Sequence, residues 1–269
     1  MGEDDEVFAR IIVQKPIYVK SRSGRRAFLA TIDELVASLE IAVSPARLRS
    51  YRGEADDARA MLVNYFWNIA LCEALYPVIN GFELALRNRV DAVLREAFDD
   101  PLWFLRDDLL DSREVSNIKR ARTKLGNLKM APTPGQYVAG LEFGFWVGLW
   151  RDFYEAVDPA RPNKLSWIGG GNDLGLVVAV FPHAPSAFRS RSRLNDVLNR
   201  IKTLRNRAFH HEPVWNMPGL QGEHENIITT LGWIDPDMAK LIRLYDRFPT
   251  VFAHGRHDVE QMLALHFLS

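Results

Sequence analysis

Ser192-Arg193-Leu194-Asn195-Asp196-Val197-Leu198-Asn199-Arg200-Ile201-Lys202-Thr203-Leu204-Arg205-Asn206-Arg207-Ala208-Phe209-His210-His211-Glu212-Pro213 is the stretch that decides the fold. Leu194, Val197, Leu198, Ile201, Leu204 and Ala208 recur three and four residues apart, which places them on one face of a helix. The pattern predicts a helix starting at Ser192. Pro213, which lacks an amide N–H and cannot continue a helix, stops it soon after His210. An apolar stripe of this length has to be covered, so other helices with matching faces are expected.

They can be read upstream and downstream. Leu62, Val63, Phe66, Trp67, Ala70, Leu71 and Leu75 keep helical spacing, and after Pro77 the pattern resumes with Val78, Phe82, Leu86, Val90, Val93 and Ala97. Pro77 either kinks one long helix or sits in the first turn of a second. Asp99-Asp100-Pro101 ends this block. A short helix is expected at Thr31 to Glu40, a basic one at Ser112 to Lys129, and an aromatic one carrying Tyr137, Leu141, Phe145, Leu149, Trp150 and Phe153. Helices at Glu223 to Leu231 and Pro236 to Phe248 follow, while Leu174 to Phe181 is too short to assign. Alternating strand patterns are scarce, so the chain reads as all-α. Residues 1–26 form an extended or flexible lead-in, 27–250 the helical domain, and 251–269 a C-terminal helix or tail.

Composition sets bounds on function. The 269 residues are 47% hydrophobic and 25% charged, a globular balance with enough chain for one large core. The formal net charge is +0, so any nucleic-acid surface has to be a local patch. The single cysteine, Cys72, excludes an intrachain disulfide and reads as a buried thiol. The acidic start, Met1-Gly2-Glu3-Asp4-Asp5-Glu6, lacks the layout of a secretion signal. No uninterrupted apolar run reaches the roughly 18 residues of a membrane span. A soluble, cytoplasmic protein with no membrane contact is expected.

The end of the 192–213 helix carries the candidate chemistry. Arg205 supplies a fixed cation whose planar fork suits phosphate oxygens. His210 titrates near neutrality and can take a proton from a ribose 2′-hydroxyl or give one to a leaving oxygen. Asn206 can hydrogen-bond phosphate or hold the histidine tautomer. These roles require no metal and no cofactor. Spacing alone is weak, because 34 Lys+Arg and 7 His place a basic residue five before a histidine about once by chance. Context strengthens this instance: Arg205 continues the apolar stripe, where a cation needs a partner or a purpose. In an ideal helix, residues five apart point roughly 140° away from each other. Arg205 and His210 therefore need local unwinding near Phe209, or a dimer of two such helix ends, to converge.

Arg189, Arg191, Arg193, Arg200, Lys202, Arg205 and Arg207 face a single acid, Asp196, within this segment. That could form a footprint for a phosphate backbone, with Arg200, Lys202, Arg207, His211 and Trp215 as the RNA-contacting candidates. The alternative for Arg193, Arg200 and Lys202 is a solvated helix face.

At this point the sequence resembles the Abi-like (abortive infection) proteins of the HEPN group of helical nucleases. Leu204 through His211, with Trp215 shortly after, looks like the family's Arg-Asn-x-x-x-His signature followed by a tryptophan. A second stretch looks like the family's N-terminal helical signature: Tyr65-Phe66-Trp67-Asn68, through Glu73-Ala74-Leu75-Tyr76-Pro77, to Glu83-Leu84-Ala85-Leu86-Arg87-Asn88. The resemblance covers roughly residues 30–250. It implies a HEPN-like bundle with additional helices that dimerises around the signature helix. It also implies metal-independent RNA cleavage by the arginine and histidine in a homodimer cleft, in phage defence. A small RNA or antitoxin-like regulator is a further expectation of the same kind. The other reading is a non-catalytic RNA- or protein-binding module on the same scaffold.

Other features carry less. His211-Glu212 lacks further ligands at metal-binding spacing. Arg87-Asn88-Arg89 repeats the arginine triplet without a following histidine, and Glu83 is expected to pair with Arg87 at i,i+4. Trp67, Trp146 and Trp150 read as core, and His254 and His257 as surface. Gly169-Gly170-Gly171 lacks the strand–turn–helix setting of a phosphate loop.

Overall fold

The structure is a computed structural model that describes residues 32–53, 57–106, 108–126, 131–155, 157–161, 163–167 and 175–267. The lead-in at 1–26 and the cluster Gly169–Gly171 lie outside the described residues. Among the described residues the chain is helical, with no strand and one isolated bridge between Asp158 and Arg161.

Two short helices come first, α1 at Ile32–Val43 and α2 at Pro45–Arg49. The architecture is then organised by α3, which runs unbroken from Ala58 to Phe98. The Asp57 carboxylate starts it by accepting the N–H groups of Arg59 and Ala60, at 3.2 and 3.1 Å. Asp99, at φ 46, turns the chain out of it. Between these ends Leu71, Leu75, Val78, Phe82, Leu86 and Val90 are all fully buried. Burying each such side chain contributes roughly 1.5–3 kcal/mol, so this stripe is the main apolar anchor of the fold. By length and composition α3 could cross a membrane. Here its stripe is covered by protein.

Pro77 sits inside α3, which settles the two alternatives in favour of one long helix. The ring removes one intrahelical donor, leaving the Glu73 carbonyl without its partner. The surrounding packing holds the helix through that defect.

Along α3 pack α6 (Phe143–Gly148), α7 (Gly175–Val180), α8 (Arg191–Phe209), α9 (Leu220–Ile234), α10 (Pro236–Tyr245) and α11 (Phe248–His254). The last helix, α12 at His257–Phe267, lays Val259 and Leu263 against Leu62 and Val63 of α3 and against α1. Residues 251–267 thus form the end of α11, a turn at Gly255 and Arg256, and the docked helix α12. Leu174 to Phe181 resolves as α7 from Gly175 onward.

The aromatic region departs from the expected single helix. It is broken into α5 (Pro134–Gly140), α6 and a 3-10 turn at Asp152–Tyr154. The reason is burial on all sides. Phe145, Trp146, Leu149 and Trp150 are all buried, which one straight amphipathic helix could not achieve. Trp150 stacks on Trp167 at 4.2 Å, and Trp146 meets Trp103 at 6.4 Å. Trp146 and Trp150 are core, and Trp67 is half-buried against it.

A polar knot pins this region to α4 (Ser112–Leu125). Arg151 binds Asp111 at 2.7 Å and also binds Glu114. The Tyr154 hydroxyl donates to Glu114 at 2.8 Å and accepts the Asp111 N–H at 2.9 Å. A Cβ at position 148 would lie 2.5 Å from Glu114 Oε1, so a larger residue there would push the Glu114 carboxylate out of this network. Burial raises the Asp111 pKa, but hydrogen bonds from Arg151 and Ser112 outweigh it and hold the carboxyl below its ordinary value.

Candidate functional site at the end of the signature helix

Ser190 caps α8 by accepting the Arg193 N–H, and Leu194, Val197, Leu198, Ile201, Leu204 and Ala208 are buried as the stripe requires. The helix stays regular through Phe209. The His210 N–H donates to Asn206 at 2.8 Å and the Glu212 N–H to Arg207 at 2.9 Å. The latter bond is the six-to-one closure of a Schellman turn. The turn needs one left-handed residue, and His211 supplies it at φ 59, where glycine is usual.

Arg205 has found a partner across the core. Its Nε donates to Glu83 Oε1 at 2.6 Å, and its guanidinium lies 4.7 Å from the Phe209 ring centre. The Asn206 side-chain carbonyl is 3.4 Å from its Nη1. Glu83 therefore pairs with Arg205 rather than with Arg87, whose Nε is buried with no hydrogen-bond partner among the described residues. Of the two routes to convergence, unwinding near Phe209 does not occur, because the turn closes only after His210. The structure joins Arg205 to Glu83, Asn206 and Phe209 and does not join it to His210. His210 is exposed, and its ring makes no hydrogen bond among the described residues.

Several cations of the basic segment before it meet acceptors within the fold. Arg189 donates to the Ala184 carbonyl, and buried Arg191 binds Glu155 and the Trp150 carbonyl. Arg200 is held by Glu223 at 2.7 Å, and Arg207 lies 4.0 Å from Glu212. Arg193 remains exposed. Lys202 is half-buried, and burial together with the nearby Arg151 charge pushes its pKa down. Arg189, Arg191 and Arg200 tie α8 to its neighbours, because the flanking loops and α9 bring an acceptor to each of these three.

Three further residues fix the site, and sequence reasoning gave none of them a role there. Asn68 Oδ1 accepts the N–H groups of Val214 at 2.7 Å and Trp215 at 3.1 Å, while its Nδ2 donates to the Tyr51 hydroxyl at 3.3 Å. Tyr76 stacks on Phe209 at 5.7 Å, and Glu83 binds Arg205. Asn68, Tyr76 and Glu83 fall within roughly 80° of arc on α3 at 3.6 residues per turn. The available signal was a polar or aromatic residue on a shared face about every two turns. The two stretches that carried the family resemblance therefore touch at three points.

A cleft of about 960 Å³ opens beside this junction. Phe209 and His211 line it, with Tyr65, Tyr76, Cys72 and Glu73 from α3, Arg47 from α2, and Tyr245 and Arg247 from the far side. Burial pushes the Cys72 thiol up to about 11, so at neutral pH it is a protonated, unreactive wall. Trp215 lines a different cavity, of about 550 Å³, with Asn64 and Arg256. Its ring lies 5.9 Å from the Arg256 guanidinium. Among the described residues no group of three His, Cys, Asp or Glu side chains clusters as a metal would need, His211-Glu212 included. His254 and His257 are exposed, the former paired with Asp258.

Among the described residues the fold is helical and its candidate site is an arginine–asparagine–histidine helix end. No protein-family model, curated protein or solved structure matches the chain.

Proposed function

We propose that the chain is an Abi-like protein of the HEPN group, a metal-independent endoribonuclease that acts as a cytoplasmic homodimer in phage defence. The observation that carries this reading is the meeting of its two family-like stretches: Asn68 with Val214 and Trp215, Tyr76 with Phe209, and Glu83 with Arg205. Those contacts brace the helix end from which exposed His210 projects. In this reading His210 moves the proton at the 2′-hydroxyl or the leaving oxygen. Arg205 keeps unused N–H donors for the phosphate while Glu83 fixes its direction. Asn206, one turn before His210, supplies a further hydrogen bond. Because α8 is regular, the second copy supplies the convergence that one helix end lacks.

The test is cleavage of RNA by the purified protein in EDTA, read as products with 2′,3′-cyclic phosphate ends. His210→Ala should lower the rate by about 100-fold or more, the usual contribution of a positioned acid–base group. Full activity in that variant overturns the reading. A second reading, a non-catalytic RNA- or protein-binding module, is favoured by the engagement of Arg205 with Glu83 and of Arg200 with Glu223. Salt-sensitive RNA binding with no His210-dependent product would support it instead.

A further inference from the structure

The 960 Å³ cleft has a composition that the reading above leaves unused. It lies at the upper end of the range for small-molecule sites, roughly 300–1,000 Å³. Two of its walls carry aromatic rings turned to solvent, Tyr76 at 52% exposure and Tyr245 at 75%. Such rings gain by covering another flat apolar surface. Two exposed arginines line it. Arg47 has no ion-pair or hydrogen-bond partner for its guanidinium among the described residues. Arg247 meets Glu73 at 3.3 Å, with both side chains more than half exposed. A pair so open to water contributes little and yields easily to a competing anion. His211 and Phe209 close the wall, one residue on either side of His210.

Rings that accept a flat face, next to cations that accept an anion, fit a nucleotide whose base is unstacked. A duplex does not fit, because its bases are stacked and paired away from side chains of this reach. We propose that this cleft holds an unpaired nucleotide of the RNA strand, with Tyr76 and Tyr245 against the base and Arg47 and Arg247 on phosphate. This subsite rests on the RNA reading above and adds to it where the strand runs: along α3, beside the His210 end of α8.

Binding can be measured without cleavage. A fluorescent single-stranded 2′-O-methyl RNA decamer lacks the reacting hydroxyl, and its anisotropy gives Kd. Tyr76→Ala and Tyr245→Ala should each weaken it by roughly 5- to 100-fold, the usual loss for a stacked base. Arg47→Gln and Arg247→Gln should weaken it as well, and each should reduce the salt slope by about one. Arg47, Arg247 and Tyr245 are exposed and lie outside the contacts that brace α8, so circular dichroism should show unchanged folding in their variants. Tyr76 also stacks on Phe209, so Tyr76→Phe, which keeps that ring, should bind like the parent protein while Tyr76→Ala does not. Competition by millimolar AMP would support a nucleotide site that also takes free nucleotide. Absence of competition, with the four variants still weakened, would support occupancy by the strand alone. An unchanged Kd in all four variants, or equal affinity for a duplex of the same sequence, overturns the proposal. If RNA is cut in a His210-dependent way while the four variants bind normally, the cleft assignment fails and the cleavage reading stands. If the variants lose binding but no RNA is cut, the cleavage reading fails and the cleft stands.

Discussion

Glu83 Oε1 and Arg205 Nε lie 2.6 Å apart, on residues 122 positions distant in the chain, and each side chain is about a quarter exposed. At that burial a charge-assisted hydrogen bond contributes more than a surface pair, about 1.5–3 kcal/mol. Glu83→Gln and Arg205→Met should each lower stability. The double variant should lose less than the sum, with a coupling of about 1–2 kcal/mol in urea unfolding. Strict additivity would mean that the pair does not hold α8 to α3.

Asn68 is a stronger structural node. It is nearly fully buried and satisfies two backbone N–H groups just beyond the helix end. Asn68→Ala strands both donors, each costing about 1–3 kcal/mol. A loss of about 3 kcal/mol or more is expected from urea unfolding. Asn68→Asp keeps the acceptor but buries a carboxylate and loses the Nδ2 donor to Tyr51, so it should restore only part of the stability that Ala loses.

His211 occupies a left-handed position that costs a non-glycine residue about 1–2 kcal/mol. His211→Gly should therefore raise the melting temperature, reversing the usual direction of a glycine substitution. A fall in melting temperature would show that the His211 ring contributes packing that outweighs its backbone cost.

The Asp111 carboxyl is held below its ordinary value, with burial opposing and the Arg151 and Ser112 hydrogen bonds prevailing. It stabilises the fold at every pH above the unfolded value, about 3.9. That contribution fades as pH falls through the lower, folded value. Stability measured from pH 6 down to pH 2 should show this acid limb, and Asp111→Asn should flatten it. The same acid dependence in the variant would assign it to other carboxylates.

The helical architecture was readable in the periodicity of Leu194 to Ala208 and of Leu62 to Val93, because one-faced burial leaves a three-and-four spacing in the chain. The aromatic segment was misread as one helix because Phe145 to Trp150 is buried all round, and all-round burial erases that spacing. At the site, Arg205 on the stripe correctly signalled a cation in need of a partner. That Glu83 is the partner was not readable, since a local i,i+4 rule pointed to Arg87 and the actual pairing is set by how α8 crosses α3. The pairing of Arg200 with Glu223 was not readable either, because net charge along a helix does not show which acceptors neighbouring elements bring.

The contacts of Asn68 with Val214 and of Glu83 with Arg205 also impose an order in time. A chain emerging from the ribosome presents Tyr65 to Asn88 long before Trp215 exists. Until residues 205–215 are made, the Asn68 side-chain carbonyl and the Glu83 carboxylate lack these partners, and no helix end is braced beside the cleft. The nascent chain is therefore without its candidate site while α3 alone has emerged, and the site forms only once the later helices have docked on α3.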